Sequence, residues 1–535
     1  MNRSSLKWIS FSCLSAALFS IPWLFPNCGW ILLLAWVPML WVEADVTRRA
    51  VRGGWKYYAL TFLLWNALTT WWICKATLGG GLIAVVANSF QMFLVFALFR
   101  WVKRKMGVKV GYLFLVALWI AWEYFYFDAE MSWPWLVLGN GFANTTYLVQ
   151  WYEYTGVLGG TLWVFLCNLS VLQWINKRKR IFIPLVVMLL PITASLIRYF
   201  TYVEKSNPIE VAVLQPNIDP YHEKFEEGRR SLTQEEQDSR LLEMAAQSVS
   251  PATRYLFAPE TAISKRVEEN NVWQSASIVR FHQFMQHFPN TIMVVGANSI
   301  RFYPPADVPP TETAKRIGES WYDVFNSAFQ LSAQEETPLV YHKSRLVIGA
   351  EKLPYVKYLR LANNLMIDLG GAIGSCGTQP EATVFPAPWN KHLSDSTPPP
   401  LQVGVAICYE SVYGEYFASY VKKGADFMAV ITNDGWWGST PGYRQHLSYS
   451  RLRAIETRRS IARSANTGIS ALINQRGDYL QKSEWWTQSW LRGEININHA
   501  LTFYVRHGDL IGRASLYMLA LLLLYGLVLI GFRRR

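Results

Sequence analysis

The chain has 535 residues, of which 51% are hydrophobic, 15% are aromatic and only 17% are charged. This composition excludes a disordered chain, a coiled coil and a collagen-like repeat, and it argues against a purely soluble protein. The formal net charge of +13 is compatible with nucleic-acid binding or with a membrane protein that has basic cytoplasmic loops.

The positive charge is divided unequally along the chain. Residues 1–198 and 511–535 together hold 21 Lys and Arg against 6 Asp and Glu, whereas residues 199–510 hold 30 against 32. The excess therefore lies entirely in the apolar flanks, and nucleic acid is not an expected partner. We predict a membrane domain at 1–198, a globular domain at 199–510, and a last membrane helix with a basic tail at 511–535.

Eight apolar runs in the flanks predict membrane-spanning helices, since such a helix needs roughly 20 mostly apolar residues. Seven runs precede the globular domain and one follows it: 7–25, 29–43, 57–74, 82–101, 111–127, 159–176, 181–198 and 514–532. Basic residues cluster after the second, fourth, sixth and eighth runs, at 48–56, 100–109, 177–180 and 533–535. The loops after the third and fifth runs contain only Lys75. The positive-inside rule therefore places both termini in the cytoplasm and the globular domain outside it.

The loop at 128–158 contains a segment rich in Trp, Gly and apolar residues at 131–142, here called the arm. It faces the same side as the globular domain. Two interpretations stay open for it. The arm is either an aromatic anchor at the membrane interface or a re-entrant segment that lines a lipid-facing route to an active site.

The globular domain alternates short apolar, β-branched runs with polar stretches that are compatible with helices. This pattern predicts an α/β fold in which a buried sheet packs against helices. The predicted strands are 209–214, 255–257, 291–295, 327–331, 403–407, 427–431 and 469–473. The predicted helices are 232–246, 272–287 and 445–460.

Three reactive side chains follow apolar runs of this domain. Cys408 ends the run 401–407 and fits a nucleophile held on a sharp turn, although a lone Cys is more often a buried apolar residue. Glu260 comes shortly after the strand at 255–257 and fits a general base, or else a helix cap or surface carboxylate. Lys343 fits a group that stabilises an oxyanion, or else a solvated surface Lys.

The chain has six cysteines, and only Cys376 and Cys408 belong to the globular domain. The sequence has no Cys-x-x-Cys pair and no Cys/His cluster with zinc spacing, so we predict no metal site. Two possibilities remain for these thiols: a Cys376–Cys408 disulfide or a working thiol at Cys408. The polar residues directly after Cys408 favour the thiol.

The order and spacing of Glu260, Lys343 and Cys408 resemble the Glu–Lys–Cys arrangement of the nitrilase superfamily. Together with the predicted spans, the whole chain resembles the apolipoprotein N-acyltransferase family. The most specific matching segments are 258–262 (APETA), 408–410 (CYE), 432–438 (TNDGWWG) and 463–468 (RSANTG).

This resemblance implies a nitrilase-like α-β-β-α sandwich outside the cytoplasm and a ping-pong reaction without a cofactor. A fatty acyl chain would pass from a membrane phospholipid to the amino group of the diacylglyceryl-modified N-terminal Cys of an apolipoprotein. Cys408 would form a thioester, Glu260 would be the general base, and Lys343 would stabilise the oxyanion. The implied supporting or substrate-binding residues are Glu351, Tyr409, Glu410, Trp436 and Phe225, which is the nearest match to a Trp of the family. The protein would be a monomer in the bacterial inner membrane, in contact with the lipid bilayer.

Two other functions are compatible with parts of the sequence. One is a membrane-tethered amidase of the nitrilase type, which would use the same three residues on small amides. The other is a transporter or receptor whose outer domain only binds a ligand. Transport predicts polar side chains at the middle of the membrane, where Glu123 is the clearest candidate beside Asn66, Asn88 and Asn168.

Overall fold

The computed structural model describes residues 3–225, 231–352, 375–388 and 401–533. The last two residues of the predicted basic tail, 534–535, lie outside this part of the chain. The chain divides into two compact units, residues 1–202 with 506–535 and residues 203–505.

The first unit is helical. Its helices are α1 (Arg3–Leu24), α2 (Leu32–Ala35), α3 (Val37–Arg48), α4 (Trp55–Thr70), α5 (Ile73–Ala76), α6 (Leu78–Met106), α7 (Val108–Asp128), α8 (Tyr152–Lys177), α9 (Phe182–Thr201) and a C-terminal helix, Leu510–Arg533. Among the described residues, seven helical segments are long and apolar enough to cross a membrane. They cover 3–24, 29–48, 78–106, 108–128, 152–177, 182–201 and 510–529. The remaining predicted run forms α4, which has only 16 residues, so the count of eight spans stays a prediction.

Buried Asn side chains of this unit form hydrogen bonds with other residues of the same unit. Asn168 donates from Nδ2 to the carbonyl oxygen of Leu32 at 2.8 Å, and its Oδ1 accepts the backbone N–H of Trp36 at 2.8 Å. It thereby supplies partners at the break between α2 and α3. Asn88 donates to Oδ1 of Asn66 at 2.7 Å. These contacts are structural, because apolar surroundings make an unpaired polar group costly.

The arm packs into the interior of the first unit. It forms two short 3-10 helices, Pro134–Leu136 and Leu138–Phe142, whose residues are all buried. A Cβ on Gly139 would lie 1.9 Å from the carbonyl oxygen of Val157, so this close approach requires glycine. The arm is therefore a buried, fixed part of the first unit, and its position relative to the membrane stays a prediction.

Glu123 holds the arm in place. Its Oε1 accepts the backbone N–H of Leu138 at 2.9 Å, and its Oε2 accepts the Thr161 hydroxyl at 2.6 Å. Thr161 in turn accepts the backbone N–H of Gly139 at 3.2 Å. The polar residue that most favoured transport thus has a structural role in fixing the arm.

Within its described residues, the second unit contains two sheets and five α-helices. The strands are β1 (Pro208–Gln215), β2 (Thr253–Phe257), β3 (Ile263–Glu268), β4 (Ile292–Tyr303), β5 (Lys315–Ile317), β6 (Ser320–Ser332), β7 (Leu339–His342), β8 (Val384–Pro386), β9 (Gln402–Ile407), β10 (Phe427–Thr432), β11 (Ile461–Ala465), β12 (Ala471–Ile473), β13 (Tyr479–Lys482) and β14 (Ser489–Asn496). The helices are α10 (Gln234–Ser248), α11 (Ala276–Met285), α12 (Gly414–Lys422), α13 (Pro441–Thr457) and α14 (Phe503–His507). One sheet has the order β14-β1-β2-β4-β6-β5, with β3 on β4 and β7 on β6, and the other has the order β13-β12-β11-β10-β9-β8.

Alternating side chains place the two sheets face to face. On β1, Val211 and Val213 belong to a core that includes the residues of β9 and β10, whereas Ala212 and Leu214 join a second core with α10 and α11. This two-residue period is that of a strand buried on both faces. Since α12 contacts β9 and α13 contacts β12, the layers form an α-β-β-α sandwich.

The predicted strands of this unit are all present, with some different ends. β6 begins at Ser320 rather than Ser327, because its first half pairs with the far end of β4 and with β5. α11 begins at Ala276 rather than Val272, because a 3-10 segment precedes it and Ser275 caps the helix by accepting the N–H of Ile278.

Candidate active site

Two strained turns carry Glu260 and Cys408. Cys408 follows β9 with a φ of 52°, and Thr261, directly after Glu260, has a φ of 51°. Such left-handed conformations are uncommon in residues other than glycine. The turn at Glu260 also lies against β4, where a Cβ on Gly296 would be 2.6 Å from the Cα of Glu260. Backbone geometry, rather than side-chain flexibility, thus sets where both groups point.

Lys343 lies between two carboxylates. Its Nζ is 3.0 Å from Oε1 of Glu260 and 3.0 Å from Oε1 of Glu351, and its side chain is 1% exposed. Burial alone would lower the pKa of Lys343, but the charges of Glu260, Glu351 and Cys408 raise that pKa well above its usual range. The side chain is therefore an ammonium ion throughout the physiological pH range.

Asn326 joins the same two carboxylates from β6. Its Nδ2 donates to Oε1 of Glu260 at 2.8 Å and to Oε1 of Glu351 at 2.7 Å. The backbone N–H of Asn433 donates to Oε2 of Glu260 at 3.1 Å, and that of Val347 donates to Oε2 of Glu351 at 2.7 Å. Each carboxylate is thus oriented by one cation and two amide donors. Asn326 lies in no recognisable motif, and sequence reasoning missed it.

The thiol of Cys408 lies within the electrostatic reach of this cluster. Burial and the charge of Glu260 raise the pKa of Cys408 well above its usual range, although Lys343 and a hydrogen bond with Thr432 oppose the shift. The resting side chain is therefore a neutral thiol that needs a base when it reacts. Both Cys376 and Cys408 are free, so the disulfide alternative does not describe this structure.

Glu410 forms its hydrogen bonds with groups outside this cluster. Its Oε1 accepts the hydroxyl of Tyr341 at 2.6 Å and the N–H of Ser344 at 2.7 Å. Its Oε2 accepts the N–H of Ile407 at 2.8 Å and the hydroxyl of Tyr420 at 3.1 Å. This fully buried carboxylate therefore ties the segment that follows the lysine to the strand end that carries the cysteine.

The aromatic candidates form two separate groups. Phe225 stacks on Trp436 with ring centroids 5.9 Å apart and an interplanar angle of 13°. Tyr221 meets Trp436 edge-on and donates from its hydroxyl to the Trp436 carbonyl oxygen at 2.9 Å. We call these three residues the aromatic cluster. Tyr409 is not part of it, because that ring is buried edge-on against Tyr413 at 5.2 Å.

Lys224 connects the aromatic cluster to the turn at Glu260. It is buried next to Phe225, and its Nζ donates to the carbonyl oxygen of Glu260 at 3.2 Å and to the hydroxyl of Thr261 at 2.9 Å. Burial lowers the pKa of Lys224 to about 7, although the charge of Glu260 opposes the shift. No strand or motif marks this lysine, and sequence reasoning missed it.

A second polar network supports the turn of Cys408. His446 places Nε2 3.1 Å from the carbonyl oxygen of Cys408 and Nδ1 2.8 Å from Oδ1 of Asp434. Arg463 donates to Oδ2 of Asp434 at 2.7 Å, and all three side chains are buried. Burial alone would raise the pKa of Asp434, but Arg463 and His446 lower it to about 2. Asp434 and Arg463 lie in the matching sequence segments, but their partnership was not foreseen.

The described residues include no candidate metal site. Across the described ranges, no group of three or more His, Cys, Asp or Glu side chains could hold a metal ion. What the arrangement offers is a carboxylate, an ammonium ion and a thiol in one buried cluster. Such a set can carry out acyl transfer through a covalent intermediate.

Comparison with known proteins identifies a family for each of the two units. The carbon-nitrogen hydrolase family matches residues 210–500, so the second unit is a carbon-nitrogen hydrolase domain. The first unit matches the apolipoprotein N-acyltransferase N-terminal domain over residues 15–170. The chain belongs to the apolipoprotein N-acyltransferase family.

Two relatives agree with this assignment over most of their length. The apolipoprotein N-acyltransferase of Chlorobaculum tepidum is 30% identical over 88% of this chain and 87% of its own. The apolipoprotein N-acyltransferase of Geobacter metallireducens is 24% identical over 93% of this chain and 91% of its own. Among solved structures, the carbon-nitrogen hydrolase from Helicobacter pylori G27 is 14% identical, with a TM-score of 0.35 over 54% of this chain and 89% of that one.

Proposed function

We propose that this protein transfers a fatty acyl chain from a membrane phospholipid to the N-terminal amino group of the diacylglyceryl-cysteine of an apolipoprotein. Membership of the family supports the reaction class and both substrates. The observation that carries the assignment of residues is the placement of Lys343, 3.0 Å from both Glu260 and Glu351 and within the field of the Cys408 thiol.

The first half-reaction forms a thioester. Glu260 takes the proton of the Cys408 thiol while Sγ attacks the ester carbonyl carbon of the phospholipid. The carbonyl oxygen becomes an oxyanion, which the ammonium group of Lys343 stabilises. The ester C–O bond then breaks, the lysophospholipid oxygen takes the proton from Glu260, and the acyl chain stays on Cys408.

The second half-reaction forms an amide. The amino group of the acceptor attacks the thioester carbonyl carbon and loses a proton to Glu260. Lys343 again stabilises the oxyanion, the C–S bond breaks, and the proton returns from Glu260 to the Cys408 sulfur. The sequence of two acyl transfers gives ping-pong kinetics.

The other residues orient this triad or bind substrate. Glu351 orients Lys343, since its Oε1 accepts a hydrogen bond from Nζ. Glu410 and Tyr409 hold the turn around Cys408 in position. Phe225 and Trp436 offer a stacked aromatic surface for the lipid-modified acceptor, because their rings are only half-buried.

The protein would act as a monomer in the bacterial inner membrane. The proposed topology has eight spans within 1–198 and 511–535, with α4 as the third, and both termini in the cytoplasm. Residues 199–510 would then form the catalytic domain in the periplasm. The distribution of Lys and Arg between the predicted loops supports this orientation.

Intact-protein mass spectrometry tests the covalent step. Purified protein mixed with phospholipid, without acceptor, should gain the mass of one acyl chain that hydroxylamine removes. Cys408→Ala should gain none and should still fold, and Cys376→Ala, the matched control, should acylate normally. Absence of the adduct in the wild-type protein, or its presence in Cys408→Ala, would refute the mechanism.

The same adduct distinguishes an acyltransferase from an amidase. A lipopeptide with a free N-terminal amine should remove the acyl group and gain its mass as an amide. If water released the acyl group at the same rate with and without the lipopeptide, hydrolysis would be the better description.

A further inference from the structure

The connection between α8 and α9 borders an open pocket of about 380 Å³, here called the basic cavity, whose three basic side chains are exposed. Its walls contain the cations Lys177, Lys179 and Arg180, the polar side chains of Ser170 and Gln173, and the ring of Trp174. The first turn of α9 closes it on the other side. This volume is within the usual range of small-molecule sites, roughly 300–1,000 Å³.

One face of α8 lines the basic cavity. Ser170, Gln173, Trp174 and Lys177 follow the spacing i, i+3, i+4 and i+7, so they share one side of the last two helical turns. Two polar side chains and one aromatic ring on this face precede the cation at the end of the helix.

The cations of the basic cavity are not neutralised by the protein. Elsewhere in the first unit, Asp45 pairs with two arginines after the second helical span, and Glu43 pairs with two cations at the end of α6. No carboxylate in the described ranges lies within ion-pair distance of Lys177, Lys179 or Arg180. These three exposed cations line one pocket and have no carboxylate partner within it, so they are available to an anion from outside the chain.

Two basic residues of this loop have a left-handed backbone conformation, and one of them, Arg178, is the C-cap of α8. Arg178 and Arg180 have φ values of 51° and 59°, in the left-handed region that glycine or asparagine adopts at lower cost. Arg178 also lies over the ring of Trp174, 5.6 Å from its centroid.

We propose that the basic cavity binds the phosphate-bearing headgroup of an anionic phospholipid. Lys177, Lys179 and Arg180 would contact the phosphate, and Ser170 and Gln173 would contact the headgroup hydroxyls. The aromatic and apolar walls favour a lipid over free phosphate, because the rest of the molecule would lie against them. Basic pockets between membrane helices on the side with the most Lys and Arg bind such lipids in general. The proposed site does not depend on the acyl-transfer chemistry.

Native mass spectrometry of the full-length protein in detergent tests this site. The wild-type protein should retain one phosphatidylglycerol at concentrations where it retains no phosphatidylcholine with the same acyl chains. The variant Lys177→Ala/Lys179→Ala/Arg180→Ala should bind phosphatidylglycerol at least tenfold more weakly. Equal retention of the two lipids by the wild-type protein would overturn the proposal.

Two further variants separate the cavity from the charge. Arg104→Ala/Lys105→Ala/Lys109→Ala removes the same charge from another basic cluster and should bind as the wild-type protein does. Ser170→Phe fills the cavity, keeps every charge and should lose the lipid. Monodisperse size-exclusion profiles and wild-type thermal unfolding show that each variant is folded. The proposal is wrong if Ser170→Phe retains phosphatidylglycerol fully.

A competition arm distinguishes the two sources of phosphate. Inorganic phosphate at 10 mM should leave the bound phosphatidylglycerol in place, because it contacts only the cations. Complete displacement would identify a site for free anions and would refute the assignment to a lipid.

Discussion

Replacement of Glu410 by Gln tests whether a carboxylate outside the reacting cluster positions Cys408. Each oxygen of this carboxylate accepts a backbone N–H, which can only donate, so an amide NH₂ in place of either oxygen faces another donor. At the Oε2 position it would face the N–H of Ile407 at 2.8 Å, and at the Oε1 position that of Ser344 at 2.7 Å. Either orientation leaves one buried backbone donor unsatisfied, which costs about 1–3 kcal/mol.

The cost should appear in the acylation of Cys408, because Ile407 is the residue directly before it. At 1.4 kcal/mol per factor of ten, the single-turnover acylation rate should fall about fivefold to 150-fold. The apparent affinity for phospholipid should not change, and the thermal unfolding temperature should fall. Rate and unfolding are measured by intact-protein mass spectrometry and differential scanning fluorimetry.

Tyr420→Phe is the matched control for Glu410→Gln. It removes one hydroxyl donor to Oε2 and leaves the backbone donors bonded to the carboxylate. Its acylation rate should stay closer to the wild-type rate than that of the Gln variant. If Glu410→Gln acylates and unfolds as the wild-type protein does, or if Tyr420→Phe is the slower variant, the positioning argument is wrong.

Three further changes test other parts of the catalytic unit. Asp434→Asn should be less stable than the wild-type protein by about 2 kcal/mol above pH 4. This difference should vanish as the pH falls through about 2, because the folded state lowers the pKa of Asp434 to about 2. Unfolding at pH 2 to 7 checks this, and a difference that persists at pH 2 counts against it. Lys224→Met tests the buried amine. Burial lowers the pKa of Lys224 to about 7, so the folded state binds the proton of this amine less tightly than the unfolded state does. The stability of the wild-type protein relative to the variant should therefore rise from about pH 7 to about 10.5. A flat difference in unfolding stability over this range would contradict the buried position of the amine. Trp436→Ala should raise KM for the lipopeptide about twofold to tenfold, since it removes a ring that we propose contacts the acceptor, a contact of roughly 0.5–1.5 kcal/mol, and an unchanged KM would exclude the aromatic cluster from acceptor binding.

The proposed triad could be predicted because short apolar segments of the sequence precede its residues. Glu260 and Cys408 each follow an apolar strand, and the ends of strands in one sheet or in facing sheets converge. Asn326 and Lys224 carry no such mark. Asn326 lies inside β6, just before the predicted strand, and its partners are 66 and 25 residues away. Lys224 lies in a π-helical turn within a polar segment, which no strand pattern identifies.

Long-range pairing also limited what the sequence could predict about the fold. Alternation and strand length identified the central strands, but β14 pairs with β1 although almost 300 residues separate Pro208 from Asn496. Nothing local in either segment specifies that partner. In the membrane unit, Glu123 fitted a transport pathway by composition alone. Only its contacts with Leu138 and Thr161 show that it fixes the arm.

The three reactive residues do not by themselves separate acyl transfer from hydrolysis, because an amidase could use the same set. Water competes with the amine for the thioester, so the site must limit water while the acyl group waits. The side chain of Lys343 is 1% exposed and that of Glu260 is 8% exposed, which leaves little room for bulk water beside Cys408. The acceptor amine has an ordinary pKa of about 7.7–8.0 and is largely protonated at neutral pH. It attacks as the neutral amine after its extra proton has passed to water, and Glu260, ionised again once the lysophospholipid has left, takes the proton that the nitrogen loses during the attack. One carboxylate therefore serves both halves of the reaction, and preference for amine over water rests on what brings the amine close to it. The turn of Glu260 is joined through Lys224 to the aromatic cluster, so contacts of the acceptor with that cluster are the place where the two reactions would diverge.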